Sequence, residues 1–463
     1  PRQILREKWE KLELIIFVGS VGASIRLINS LLSSKDKDPG VIVIDKKGSK
    51  IIPIIGAHQS NIQNIAFQIC NLFGGEIIET NNSIDQNYLN IDSFGNQWGW
   101  KRSGDIKDWS KLVIKQSNKK EIFCSQLSGN NLWKTSEVGN TITQLSDKDY
   151  EQKKSIFHIS IFDNHKNTWH PPTLWIGLGC ERNTSKELIE DSLQSFLATN
   201  NLSPLSIAGF ATVDLKKDEK AILEISKEKN LPIKFFTSEE LSSINTPNPS
   251  NVVLNEIGTP SVAEAACMIA AGQGSKLLKE KKIFKSIDSS KSTFGAVTIA
   301  VSESKNQYSP LTGEIHVVGS GPGDISYLTN DARKALSKCS IWIGYKMYLD
   351  LIKPLKRKDQ VMIESNLTEE KERCEKAIKL AEEGIKVALI SSGDAGFYGM
   401  AGLLLELIQK VHKDFRPSFE VHPGISSMQL AAAIGGAPLM NDFCSISLSD
   451  NCLLYTSDAA DDW

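Results

Sequence analysis

Three glycine-rich segments in the last third of the chain carry the strongest chemical signal. They are residues 315–329, 391–398 and 421–427. Glycine permits tight turns and positive φ angles, and it lets a ligand approach the backbone closely. Each segment follows or includes an apolar run, so together they predict ligand-binding loops at the ends of strands. For any one segment alone, a tight strand-to-helix turn is the alternative.

Two residues in the first half could carry acid–base or nucleophilic chemistry. His58 follows the apolar run Ile51–Ile55 and titrates near neutrality, which suits a general base. The alternative for His58 is a histidine that satisfies loop backbone groups. Cys180, in the turn expected after Leu174–Ile176, is either a nucleophile or a small buried residue.

A second group of candidates lies between residues 214 and 264. Glu264 could act as an acid, but its spacing from Ser261 also predicts a capping box. Asp214, with Lys216 and Lys217 beside it, could bind substrate carboxylates or form a solvated loop. The glycines at 19–22 and 177–179 predict further loops, whose backbone N–H groups could bind carboxylates at helix N-termini.

Short apolar runs that alternate with amphipathic helices must position these residues. Uniformly apolar strands separated by helices indicate parallel sheets covered on both faces. We therefore predict an α/β fold of three domains, with mainly parallel sheets flanked by helices. The predicted strands are Leu14–Val18, Val41–Ile44, Ile51–Ile55, Leu174–Ile176, Ile315–Val318 and Val387–Ile390, and the predicted helices cover Asn61–Phe73 and begin near Lys186.

Polar segments set the predicted domain boundaries. A first domain spans residues 1–140, a polar connection 141–169, and a second domain 170–302. A linker over 303–313, which contains proline and glycine, leads to a third domain over 314–450. Residues 451–463 form a tail.

Composition excludes several classes of protein. The 463 residues carry 53 basic and 55 acidic side chains, a net charge of -2, which argues against nucleic-acid binding. No apolar stretch is long enough to span a membrane. The eight cysteines have no CxxC pair and no histidine at ligand spacing, so we predict reduced thiols, a cytoplasmic protein and no protein-bound metal.

The three glycine segments, in their order, resemble the tetrapyrrole methylase family over residues 314–450. Within that family they are most similar to the C17-methyltransferases of cobalamin biosynthesis, which act on precorrin-3B or cobalt-precorrin-3. The resemblance implies that the third domain is the first subdomain of such a methylase, with S-adenosylmethionine as methyl donor and cobalt carried only by the substrate. It also implies a homodimer formed through the methylase part.

The resemblance assigns roles to individual residues. The donor would contact Gly393, Asp394 and Ala395, and Pro423 and Gly424 would line its cleft. The substrate-side loop would be Gly321, Pro322 and Gly323, followed by Asp324 as an acid–base group; an N-cap is the equal alternative for Asp324. Cations are expected near a substrate with many carboxylates, and the candidates are Lys346 and Arg333, with a solvated helix face as the alternative for Arg333.

The first two domains resemble the cobalt-precorrin-5A hydrolase family. The segments FVGSVGASIRLINSLL, LWIGLGCERNTSKELIE and GTPSVAEAACMIAAGQGSKLL carry this resemblance between residues 14 and 302. It implies opening of the ring-A lactone of a corrin intermediate and release of acetaldehyde. That chemistry needs an activated water or a stabilised acyl oxyanion, for which His58 and Glu264 are the candidate acid–base groups.

Two other functions stay open from the sequence. A non-catalytic module that binds corrin intermediates would suit the divergent loop at residues 56–61. A dinucleotide oxidoreductase is disfavoured, because Asp324 or Ile325 stands where the third glycine of G-x-G-x-x-G/A is required. The tail after residue 450 departs from the methylase pattern, so we expect methyl transfer by this polypeptide to be inefficient.

Overall fold

Buried apolar runs form the strands, as the sequence predicts. The computed structural model describes residues 2–33, 38–56, 88–145, 155–286 and 293–436, with scattered residues between 62 and 78 and between 439 and 443. Its contacts divide the chain into two units, Pro1–Asn87 and Tyr88–Trp463. The boundary falls inside the predicted first domain, and the predicted domain limits stay a prediction.

The first unit holds a four-stranded sheet in the order β1-β2-β3-β4. Its elements are α1 (Arg2–Lys8), β1 (Leu14–Val18), α2 (Val21–Ile28), β2 (Gly40–Ile44), β3 (Lys50–Ile55) and β4 (Glu76–Ile77). β1 and β2 are parallel, whereas β2 and β3 are antiparallel. The five residues between β2 and β3 are too few for a parallel crossover, so a hairpin results. Within the predicted helix Asn61–Phe73, the described residues are helical.

The second unit begins with a mixed sheet that composition did not predict. Its order is β5-β9-β8-β6-β7, and its elements are β5 (Lys101–Ser103), α3 (Ile106–Ser117), β6 (Phe123–Gln126), β7 (Thr143–Gln144), β8 (Ile156–Ile159) and β9 (Thr168–His170). β7, β8 and β9 lie in the segment expected to be a polar connection. Large aromatic side chains explain this, because each buries about 150–250 Å² and few are needed for a core. Here they are Phe94, Trp98, Trp109, Trp133 and Trp169.

The third sheet has the order β12-β11-β10-β14-β13. β10 to β12 are parallel, and β13 and β14 are antiparallel additions. Its strands are β10 (Leu174–Cys180), β11 (Ile207–Val213), β12 (Ile233–Phe236), β13 (Lys276–Lys285) and β14 (Ala296–Glu303), and its helices are α4 (Lys186–Thr199), α5 (Lys220–Lys229), α6 (Ser238–Ser242), α7 (Asn251–Ile257) and α8 (Ala263–Ala271).

The fourth sheet is parallel throughout, in the order β17-β16-β18-β15-β19. Its strands are β15 (Glu314–Gly319), β16 (Ile341–Tyr345), β17 (Val361–Ser365), β18 (Lys386–Ser391) and β19 (Ser418–His422). Its helices are α9 (Asn330–Lys338), α10 (Lys346–Ile352), α11 (Glu370–Glu382), α12 (Ala401–Ile408) and α13 (Ser427–Gly435). The predicted α/β class with mainly parallel sheets is therefore confirmed.

None of the helices in the described part of the chain combines the length and the apolar composition that a bilayer-spanning helix needs.

Candidate functional site

The three glycine segments meet at one edge of the fourth sheet. β18, β15 and β19 are parallel neighbours, so their carboxyl ends lie side by side. The loops after β15 and β18 touch directly: Gly321 N–H donates to the Gly393 carbonyl at 3.1 Å, and Gly393 N–H donates to the Gly321 carbonyl at 3.0 Å. Open parallel sheets bind ligands at this edge. The structure thus brings together the loops that the sequence predicted separately.

Glycine is required where the loops cross. A Cβ on Gly424 would collide with the carbonyl oxygen of Gly393, and one on Gly319 would lie 2.7 Å from the Gly424 nitrogen. By contrast, a Cβ on Gly323 would meet nothing within 4 Å, and its φ of +132° is one that side chains rarely adopt. The crossing therefore packs backbone on backbone, and the Gly323 backbone faces open space that a ligand can approach.

Asp394 ties the second loop to the third. Its carboxylate accepts the backbone N–H groups of Gly396 at 2.8 Å, Phe397 at 3.0 Å and Gly424 at 2.9 Å. Three amide donors engage both carboxylate oxygens, so Asp394 holds the loops in place, and its contact with a methyl donor stays a prediction. The neighbouring Ala395 is fully buried, and its contact with a methyl donor stays a prediction.

Asp324 takes the N-cap position that the sequence offered as one of two roles. It is exposed, and its carboxylate accepts the Ser326 N–H at 2.7 Å at the start of the 3-10 helix Ile325–Tyr327. Hydrogen bonding by Ser326 holds the pKa of the Asp324 carboxyl below its usual range. An ionised, capping carboxylate can accept a proton only weakly, and its acid–base role stays a prediction.

The two candidate cations are both held by the protein. Lys346, exposed at the start of α10, pairs with Glu364 at 2.9 Å, and this bond raises the pKa of the Lys346 ammonium. Arg333 is half-buried and donates to the Ile325 carbonyl at 2.5 Å. Arg333 thus supports the turn that follows the first glycine loop, and it is not simply a solvated helix residue.

An aromatic pair beside the second loop was missed by sequence reasoning. Phe397 and Tyr398 are 41% and 66% exposed, and their rings meet edge to face with centroids 5.0 Å apart. Tyr398 has a φ of +51°, a strained conformation for a bulky residue. Backbone strain and exposed aromatic surface are typical of ligand sites. Neither property can be recognised from the sequence of this segment.

Glu264 is enclosed in the third sheet's layer of helices and is not part of a capping box. The N-cap of α8 is Val262, so the capping prediction is wrong. The Glu264 side chain is fully buried and accepts the Asn248 side-chain amide at 2.9 Å, the Lys281 N–H at 3.0 Å and the Ser261 hydroxyl at 3.3 Å. These contacts connect α8 to β13, which favours a structural role.

The residues at 177–180 belong to a strand, which corrects the predicted loop and turn. Gly177 and Gly179 pair with Ala300 and Thr298 of β14. Their backbone groups are therefore used in the sheet and do not form a carboxylate-binding loop. Cys180 ends β10, and burial raises the pKa of its thiol to about 11. A thiol with that pKa is protonated at neutral pH, which disfavours a nucleophile.

A cluster of charges lies at the carboxyl ends of β10 and β11. Lys216 is 7% exposed and lies 3.5 Å from Glu219, and Arg182 pairs with Asp218 at 2.6 Å. Asp214 is half-buried at the start of a 3-10 helix, and Lys217 is exposed. Of the predicted group only Lys216 is buried, and its partner Glu219 was not foreseen, because a short polar segment gives no sign of which side chains turn inward.

His58 lies outside the described residues. In the described part of the first unit, Gly19 and Ser20 form the turn between β1 and α2, where the Ser20 hydroxyl caps the helix by accepting the Ala23 N–H at 3.3 Å. That cap uses one of the N–H groups that the sequence offered to a carboxylate ligand.

Three family models match the chain in succession. Residues 3–83 match the family described as Cobalamin synthesis G N-terminal, and residues 174–302 match Cobalamin synthesis G C-terminus. Residues 314–462 match Tetrapyrrole (Corrin/Porphyrin) Methylases.

Individual relatives are similar either to the hydrolase-like part or to the methylase-like part of the chain. A protein of Priestia megaterium named cobalt-precorrin-5A hydrolase is 28% identical over 298 residues, which cover 61% of this chain and 79% of the relative. A Salmonella typhimurium protein named probable cobalt-factor III C(17)-methyltransferase is 48% identical over 136 residues, 29% of this chain and 55% of the relative. Among solved structures, the methyltransferase CobJ is 36% identical, covers 30% of this chain and 57% of its own, and has a TM-score of 0.28.

The chain thus spans just over half the length of these two methyltransferases and most of the hydrolase. The order of the matched segments agrees with the resemblances found in the sequence. In chain order, this protein is similar to the N-terminal and C-terminal domains of the cobalamin synthesis G family and then to the tetrapyrrole methylases, each over part of its length.

Proposed function

We propose that this is a bifunctional protein of cobalamin biosynthesis. Residues 14–302 open the ring-A lactone of cobalt-precorrin-5A with loss of acetaldehyde. The domain that begins at residue 314 serves the S-adenosylmethionine-dependent C17 methylation of precorrin-3B or its cobalt form. The observation that carries the proposal is the succession of matched families, since both halves then handle related macrocycles.

The methylase proposal is supported by the meeting of three loops at one sheet edge. S-adenosylmethionine supplies an electrophilic methyl group when bound, and transfer to an electron-rich carbon depends mainly on alignment. The backbones of Gly321, Gly393 and Gly424 cross closely, which holds the three loops at the carboxyl ends of the strands. Asp394 connects the second loop to the third. The open side of Gly323 and the exposed rings of Phe397 and Tyr398 offer surface for a planar ligand.

The hydrolase proposal needs cations for the substrate's carboxylates and an acid–base group for lactone opening. Arg182 and Lys216 lie at the carboxyl ends of parallel strands, where such a substrate is expected to bind. We assign the base to His58, from residue type and position after β3. Glu264, enclosed by its four donor groups, is assigned to the scaffold.

Donor binding can be tested without the tetrapyrrole. The full chain is titrated calorimetrically with S-adenosylhomocysteine, alongside Gly424→Ala and the control Gly435→Ala. A methyl on Gly424 would collide with Gly393, whereas one on Gly435 would meet nothing within 4 Å. We expect binding by the parent and the control and at least a ten-fold loss for Gly424→Ala. Equal affinity in all three proteins would contradict the assigned edge.

Lactone opening can be followed by the mass of the corrin product. The parent chain, His58→Ala and His412→Ala are each incubated with cobalt-precorrin-5A; His412 is 69% exposed and serves as the control. We expect product from the parent and the control and little from His58→Ala. Full activity of His58→Ala would remove His58 from the mechanism. Corrin binding without product from a folded parent would favour the non-catalytic binding module.

A further inference from the structure

Two histidines and a glutamate converge on β15 and β19 of the fourth sheet. His316 on β15 stands opposite Glu420 on β19, and His422 stands opposite Val318. Residues two apart on a strand share a face, so these side chains lie together. His316 Nδ1 is 2.9 Å from His422 Nε2 and 3.7 Å from the Glu420 carboxylate, which is 3.8 Å from His422 Nε2.

The outer nitrogen of each ring is already engaged by a carboxylate. His316 Nε2 lies 3.0 Å from the Glu314 carboxylate, and His422 Nδ1 lies 2.6 Å from the Asp331 carboxylate. A carboxylate can only accept, so both outer nitrogens carry the hydrogen. The two inner nitrogens, His316 Nδ1 and His422 Nε2, face each other 2.9 Å apart.

That arrangement calls for a cation between the rings. His316 is 1% exposed and His422 is 7% exposed, so water has little access to the space between the two rings. Three carboxylates surround the group: Glu314, Asp331 and Glu420. Glu314 also pairs with Lys338 at 2.5 Å and Lys386 at 2.7 Å. Three negative and two positive side chains leave one net negative charge, which favours a cation.

We propose that His316, His422 and Glu420 bind a divalent transition-metal ion of the zinc class. Two imidazoles and one carboxylate are a ligand set that zinc uses. Metal–nitrogen distances of about 2.0–2.1 Å put the ligands of a tetrahedral site about 3.4 Å apart, close to the separations found here. A carboxylate on the outer nitrogen of each histidine is the usual support of such a site. The Glu420 side chain is 65% exposed, so this third ligand lies on the solvent side of the two rings.

The ion would stabilise the third glycine loop. His422 is the last residue of β19 and directly precedes Pro423, whose carbonyl accepts the Thr329 hydroxyl at 3.1 Å. β19 is an edge strand that pairs with β15 alone among the described strands. A metal ion bound by both His316 and His422 would hold β19 to β15. The sequence predicted no protein-bound metal because the ligands come from strands 100 residues apart and show no ligand spacing.

Metal titration of the full chain tests the site independently of enzyme activity. Chelator-treated protein, with its thiols alkylated, is titrated with Zn²⁺ by calorimetry and with Co²⁺ by visible absorption. We expect one equivalent to bind and Co²⁺ to develop d–d bands typical of nitrogen and oxygen ligands. A double variant, His316→Ala with His422→Ala, should lose both signals, and the exposed-site control His412→Ala should keep them.

A second variant changes an exposed residue, so that loss of metal binding can be separated from misfolding of the double variant. Asp331 is 61% exposed on α9, so Asp331→Asn should fold, yet it removes the carboxylate behind His422. We expect about ten- to hundred-fold weaker Zn²⁺ binding. The proposal is overturned if folded parent protein binds neither metal, in which case a shared proton is the cation between the rings. It is equally overturned if the double variant binds as tightly as the parent.

Discussion

Glu264 illustrates how a residue that could do chemistry is used for structure. Its spacing from Ser261 predicted a capping box, which the structure does not form, and its acid role stays a prediction. The carboxylate lies in the interior, where it accepts hydrogen bonds from Asn248 in a loop, from Lys281 in β13 and from Ser261 just before α8. Sequence cannot reveal this arrangement, because the partners Asn248 and Lys281 are brought to Glu264 only by the packing of α8 against β13.

Replacing Glu264 should therefore cost stability. In Glu264→Gln one carboxylate oxygen becomes an amide group that faces other donors, and charge-assisted hydrogen bonds are lost. We expect the free energy of unfolding to fall by about 2–4 kcal/mol in urea denaturation. The matched control is Glu280→Gln, since Glu280 also accepts from the Asn248 side chain but is exposed. An unchanged midpoint for Glu264→Gln would contradict the structural role.

Cys180 should behave as an unreactive thiol. Burial raises its pKa to about 11 from the ordinary 9.0, so at neutral pH its thiolate fraction is about a hundred-fold below that of an ordinary cysteine. We expect iodoacetamide labelling of Cys180, followed by peptide mass spectrometry, to be slow at pH 7.5 and to accelerate with rising pH up to about 11. Rapid labelling at pH 7.5 would show an activated thiol and reopen the nucleophile hypothesis.

At the scale of elements, apolar runs predicted the strands well, whereas local motifs predicted the ends of strands and the caps of helices poorly. β1, β2, β3, β15 and β18 lie where the sequence places them. In β2, β15 and β18 almost every residue is buried, and burial on both faces requires continuous apolar residues. Capping and loop predictions at 177–180 and 261–264 failed, because tertiary pairing with β14 and β13 overrides local signals. The fourth-sheet loops were predicted because glycine is obligatory where backbones cross.

Gly177 gives the sharpest test of element packing. A Cβ there would collide with the Ala263 carbonyl oxygen at the start of α8, whereas a Cβ on Gly179, two residues along the same strand, finds ordinary contacts at 3.8 Å. We expect Gly177→Ala to lower the free energy of unfolding by about 3 kcal/mol or more, since the helix must move off the sheet. Gly179→Ala should change it by less than about 1 kcal/mol.

Equal effects of these two substitutions in urea denaturation would contradict the close approach of α8 to β10. A large effect confined to Gly179→Ala would contradict it as well.

At the scale of the whole molecule, the predicted linker 303–313 connects parts of the second unit by direct contacts. Gln307 is 2% exposed, and its amide donates to the carbonyls of Trp98 at 2.6 Å and Glu383 at 2.7 Å. Its oxygen accepts the Trp100 indole N–H at 2.7 Å and the Asn130 N–H at 3.2 Å. Composition predicted a polar linker, because a polar side chain that bonds to interior groups cannot be told from a surface one by sequence.

Gln307→Ala should weaken this junction. It leaves the buried groups of the mixed sheet's segment and of α11 without their partner, so we expect a loss of about 3 kcal/mol or more in the free energy of unfolding. Tryptophan fluorescence during urea denaturation is the measurement, because Trp98 and Trp100 lie at the junction. The exposed Gln273→Ala is the control. A parent-like transition for Gln307→Ala would mean that the junction adds little to stability.

We propose that residues 14–302 form a working hydrolase. The most direct measurement is acetaldehyde release, followed by a coupled dehydrogenase assay, when the purified full chain meets cobalt-precorrin-5A. We expect one acetaldehyde to be released per corrin turned over, and no acetaldehyde to be released from an analogue that lacks the lactone. Absence of acetaldehyde from protein shown by circular dichroism to be folded would contradict the claim.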